Sequence, residues 1–98
     1  MNNPDDLIKK LKLEPHPEGG YFAESFRDKK GTVSLIYYLL KKGDVSHWHK
    51  LTKNEILHFY DGDPLKIYMS KDKKKISTIL LGRNINNQEY LHYIVKSQ

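Results

Sequence analysis

Ninety-eight residues with 38% apolar and 30% charged side chains are expected to form one small domain, residues 1–98, with a single core. The absence of cysteine excludes disulfides and thiolate metal sites, and no apolar run reaches membrane-spanning length. The net charge of +5 comes from scattered lysines, with only Arg27 and Arg83 able to give planar bidentate phosphate or base contacts, so neither nucleic acid nor membrane is expected as a partner.

The N-terminus lacks the pattern of a signal peptide, which makes the cytoplasm the expected compartment. Residues 3–13 read as a short helix. Asn3 is placed to cap it, and Pro4 fits the first helical position. Asp5 and Asp6 open the helix, and Lys9, Lys10 and Lys12 close it, both in accord with the macrodipole. Pro15 and Pro17 stop it, with His16 in the turn between them.

Beyond Pro17 the pattern changes to strands. Glu18-Gly19-Gly20 reads as a turn, Tyr21–Phe26 as a strand and Asp28–Gly31 as the next turn. Val33–Leu40 carries apolar residues on both faces, which predicts burial on both sides. Further strands are predicted at 46–50, 55–60, 65–70, 76–81 and 90–95. The run Lys71–Lys75 is read as a solvated hairpin tip. Seven short strands at regular spacing predict an all-β sandwich or barrel with one N-terminal helix.

The stretch 43–65 holds the chemistry-bearing residues. His47 and His49 are two apart, so a strand would turn both to one face, with Trp48 opposite. Glu55 follows after five intervening residues. Two imidazoles and a carboxylate suit a divalent metal, with iron, manganese, nickel and zinc as candidates. The same residues suit metal-free acid/base chemistry, with His49 as base and Glu55 fixing its tautomer. Tyr37, Tyr60 and Tyr68 are candidate phenols for binding a small-molecule ligand. His58 is three residues from Glu55, which puts it on the opposite face of a regular strand. A third reading gives the histidines only structural roles.

These residues resemble a known family. Gly43, the His47-Trp48-His49 pair, Glu55, and Gly62 six intervening residues later are similar to the first motif of the cupin superfamily. The resemblance is closer to one cupin subfamily of unknown function, through Pro15-His16-Pro17-Glu18-Gly19-Gly20-Tyr21, Ile36-Tyr37-Tyr38-Leu39-Leu40 and Glu55-Ile56-Leu57-His58-Phe59-Tyr60-Asp61-Gly62-Asp63-Pro64-Leu65. Leu57 stands where the family carries tryptophan. The resemblance implies a jelly roll, or double-stranded β-helix, that is incomplete at its C-terminus because the second cupin motif is expected beyond Gln98. Unpaired edges would then favour a homodimer. It also implies a protein that binds a small polar metabolite such as a sugar, nucleotide or carboxylate derivative, with isomerase-like or epimerase-like turnover at His49 and Glu55. The alternatives are a metal-binding cupin using His47, His49 and Glu55, a non-catalytic binding or assembly module, and a remnant without function.

Overall fold

The computed structural model describes residues 2–47, 50–72 and 74–97. Two compact units emerge, Asn2–His49 and Lys50–Gln98. Among the described residues, no helix is long and apolar enough to cross a membrane.

The first unit begins with helix α1, Pro4–Leu11. The Asn3 side chain accepts from the N–H of Asp5 at 2.8 Å, which supplies the predicted cap. Lys12 adopts the left-handed conformation, with φ of 56°, and so ends the helix. The N–H of Leu13 then returns to the Ile8 carbonyl at 2.9 Å, and the Leu13 side chain is buried. The helix is therefore shorter than the 3–13 expected, because its last turn is spent on this cap.

Three strands follow as one antiparallel sheet: β1 (Glu14–Pro15), β2 (Tyr21–Arg27) and β3 (Ser34–Leu39), in the order β1-β2-β3. Strand β1 has no local sequence signal, since its two residues pair only once the following turn folds back. That turn is closed by Gly20, whose carbonyl accepts from the His16 N–H at 2.8 Å. Only glycine suits position 20. Its φ is 76°, and a Cβ there would lie 2.7 Å from the Leu39 carbonyl oxygen. A bulge between Glu24 and Phe26 shifts the register of β2 on β3.

Strand β3 is not buried on both sides as predicted. Leu35 is 53% exposed on one face and Ile36 45% exposed on the other. Alternating apolar residues report what a strand is suited to bury, and among the described residues the cover for either face is incomplete. The predicted strand 46–50 is likewise absent over its described part, since Ser46, His47 and Lys50 are irregular. Trp48 and His49 lie outside the described residues.

The second unit has two sheets. Strands β4 (Glu55–His58) and β8 (His92–Val95) form an antiparallel ribbon. Strands β5 (Leu65–Met69), β6 (Ser77–Leu81) and β7 (Glu89–Tyr90) form a sheet in that order, with β5 antiparallel and β7 parallel to β6. The turn joining β5 to β6 is the lysine-rich hairpin tip. There the Asp72 carboxylate accepts from the N–H groups of Lys74 and Lys75 at 2.9 and 3.1 Å.

A single strand predicted over 90–95 is broken at Leu91 for a topological reason. Tyr90 pairs with Leu81 in one sheet and His92 pairs with His58 in the other. Buried Leu81 and Glu89 mark the interior of this unit.

Candidate functional site

The ribbon β4–β8 fixes the orientation of Glu55. Its ladder runs without interruption through Glu55–Val95, Ile56–Ile94, Leu57–Tyr93 and His58–His92. Each end is tied by a further bond. The N–H of Ser97 donates to the Asn54 side chain at 2.8 Å, and the N–H of Phe59 donates to the Leu91 carbonyl at 2.9 Å.

Side chains alternate across such a ladder. Glu55 therefore shares a face with Leu57, Tyr93 and Val95, of which the last three are half-buried. The other face carries Ile56, His58, His92 and Ile94, all exposed. The predicted opposition of Glu55 and His58 is realised. Tyr93 joins the Glu55 face as a phenol that sequence reasoning passed over; its place opposite Leu57 depends on the register of a strand 36 residues away in the chain.

The candidate tyrosines occupy different surroundings. Tyr37 lies on β3 of the first unit, where it is exposed and stands opposite Ala23. Tyr60, 74% exposed, stacks parallel to His58 with ring centroids 6.3 Å apart. Tyr68 stands on the exposed side of β5, with the Lys66 ammonium 5.6 Å from its ring centre. An open groove of about 430 Å³ crosses the second unit between Lys66, Thr78, Leu80, Asn87, Gln88 and Tyr90, with none of the expected site residues in its lining.

His47 belongs to the first unit, and its approach is ordered by loop hydrogen bonds rather than by strand pairing. The His47 N–H donates to the Glu18 carbonyl at 2.7 Å. The Tyr38 hydroxyl contacts Ser46 Oγ at 3.2 Å and donates to the Gly19 carbonyl. His16 stacks on the Tyr38 ring, with centroids 5.0 Å apart, and meets the Phe22 ring edge-on at 4.7 Å. Its Nδ1 accepts from the Glu18 N–H at 2.9 Å, which leaves the proton of neutral His16 on Nε2. Thus the Pro15–Tyr21 motif folds into a cradle for Ser46 and His47. The two glycines of the motif were the available signal for a sharp turn; the Tyr38 hydroxyl was not foreseeable.

Of the expected ligands His47, His49 and Glu55, His49 lies outside the described residues. Among the described residues, no three His, Asp or Glu side chains group to hold a metal.

Arg83 forms a fixed contact rather than an open anion site. Its guanidinium meets the Asp61 carboxylate at 3.1 Å and lies 5.5 Å from the Phe59 ring centre. The same carboxylate accepts from the Gly62 N–H at 2.9 Å, so Arg83 braces the turn that leaves β4.

Comparison with known proteins places this arrangement. The crystal structure of a protein from Shewanella oneidensis is similar, with a TM-score of 0.91 and 38% identity; the chain is covered over 99% of its length and spans 65% of that protein. A hypothetical protein from Leishmania major is also similar, with a TM-score of 0.83 and 29% identity, over 98% of this chain and 66% of that one. The chain thus spans just under two thirds of the length of these relatives. No functionally curated protein matches it. The cupin superfamily model Cupin_5 (DUF985) matches residues 5–98. This mostly-β chain with its one short helix has the cupin jelly-roll fold and belongs to the Cupin_5 family.

Proposed function

We propose that the chain binds a small polar metabolite, a sugar, nucleotide or carboxylate derivative, and moves a proton on it. The observation that carries this reading is that Glu55, itself exposed at the start of β4, shares a face of the ribbon with half-buried Leu57 and Tyr93. A carboxylate next to half-buried apolar and phenolic groups suits a ligand with polar groups on a carbon skeleton.

In this reading His49 takes a proton from a carbon beside a carbonyl. Glu55 supplies a carboxylate as the second acid/base group. The Tyr93 phenol supplies a hydrogen bond to the oxygen on which negative charge develops. The roles of His49 and Glu55 rest on their positions in the sequence motif, with five residues between them. A cupin fold alone selects no chemistry, so the reading stands on these groups.

The test is a ligand screen by saturation-transfer NMR over sugars, nucleotides and carboxylate derivatives, followed by deuterium uptake from solvent into each binder. Uptake by the wild type that disappears in His49→Ala, with binding retained, supports the reading. Binding without uptake identifies a non-catalytic module and overturns the proton-transfer role. Absence of any binder overturns the reading as a whole.

A further inference from the structure

On the face of the β4–β8 ribbon away from Glu55, His58 and His92 stand directly opposite each other. The bond from the Phe59 N–H to the Leu91 carbonyl marks residues 59 and 91 as a hydrogen-bonded pair. Hydrogen-bonded and non-hydrogen-bonded pairs alternate along an antiparallel ladder. His58 and His92 therefore form a non-hydrogen-bonded pair, the kind in which side chains approach most closely. Their ring centroids are 5.9 Å apart, and the ring planes are inclined at 69°. Both residues are exposed to solvent. The Tyr60 ring lies parallel to the His58 ring, with centroids 6.3 Å apart.

We infer that His58 and His92 together bind one divalent transition-metal ion of the zinc, nickel and copper class. Imidazole nitrogen suits these ions, whereas magnesium and calcium take oxygen ligands. With each nitrogen about 2.0–2.1 Å from a tetrahedral ion, two imidazole ring centres lie ~5 Å apart. The observed pair reaches that spacing by small rotations of two exposed side chains. Water completes the coordination shell. The chelate bridges two strands that are adjacent only in the folded state, so binding stabilises the ribbon that carries Glu55 on its other side. This site uses none of the residues assigned to proton transfer, and it stands or falls independently of that reading.

The experiment is a titration of the chain with Ni(II), followed through the histidine ring resonances and the thermal midpoint. His58 and His92 are expected to respond together, at one ion per chain, with a rise in midpoint that Mg(II) does not produce. The response is expected to persist in His47→Ala/His49→Ala. His58→Gln and His92→Gln are each expected to weaken binding by at least the roughly 10–100-fold typical of losing even an outer-shell metal partner. Both side chains are exposed, so both variants should keep the fold. A response confined to His47 and His49 overturns the inference, as does unchanged affinity in the two single variants.

Discussion

Glu55 and His92 sit at opposite ends of the same four-rung ladder and on opposite faces of it. Glu55 projects beside half-buried Leu57 and Tyr93, while His92 meets His58 on the exposed side. The two faces are thereby given different chemistry by one short ribbon. Strand alternation alone separates a carboxylate suited to ligand contact from a histidine pair suited to metal.

The cradle for Ser46 and His47 depends on the Tyr38 hydroxyl, which joins the Gly19 carbonyl to the segment leading into the histidine pair. Tyr38→Phe removes that link while keeping the ring that His16 stacks upon. The expected loss is about 0.5–1.5 kcal/mol, the usual net worth of one hydrogen bond. Amide exchange at His47 should quicken in the variant. An unchanged exchange rate there would show that the Glu18 carbonyl orders the segment alone.

Among the described residues of the second unit, Glu89 is the buried charged residue. Its carboxylate accepts from the Asn84 N–H at 3.1 Å and from the Asn87 side-chain amide at 3.2 Å, and it packs against Gly82. Glu89→Ala leaves the Asn84 N–H without this acceptor and opens space beside Gly82. Urea unfolding should show a loss of about 1–3 kcal/mol, the cost of stranding a buried donor. Glu89→Gln, which keeps a carbonyl acceptor, should lose less. Equal losses in the two variants would assign the effect to charge rather than to the acceptor.

The turn between β2 and β3 should confer acid sensitivity. The Thr32 hydroxyl and the Val33 N–H donate to the Asp28 carboxylate and hold its pKa below the ordinary 3.8. A carboxyl group with a depressed pKa in the folded state stabilises that state above its unfolded pKa. The contribution is lost as pH falls through the lower folded value. The urea midpoint of the wild type should therefore exceed that of Asp28→Ala at neutral pH, and the gap should shrink as pH is taken below about 4. A gap that stays constant across that range would exclude ionisation of Asp28 as its source.

Much of this fold was legible because local chemistry and final structure agree. Asn3 caps the helix, the lysine-rich run turns between β5 and β6, and the spacing of Glu55 and His58 sets their faces. What escaped depended on contacts distant in sequence. Nothing in the apolar run 90–95 reveals that Leu91 is where the chain leaves Leu81 for His58. Ser46 and His47 alternate like strand residues, yet they are held by Tyr38 and Glu18. The double-sided apolar pattern of β3 predicted burial, but it encodes an affinity for cover and does not supply the cover. Tyr93 entered the candidate site through register, which no single-strand pattern contains.

The most direct test of the account compares the two faces of β4. Solvent deuterium uptake into the best-bound metabolite should be measured for the wild type, Glu55→Gln and Ile56→Thr. Ile56 neighbours Glu55 in sequence but lies on the opposite face of the ribbon. Uptake should be lost in Glu55→Gln and kept in Ile56→Thr. Retained uptake in Glu55→Gln would contradict the proton-transfer reading, whatever the result for Ile56→Thr.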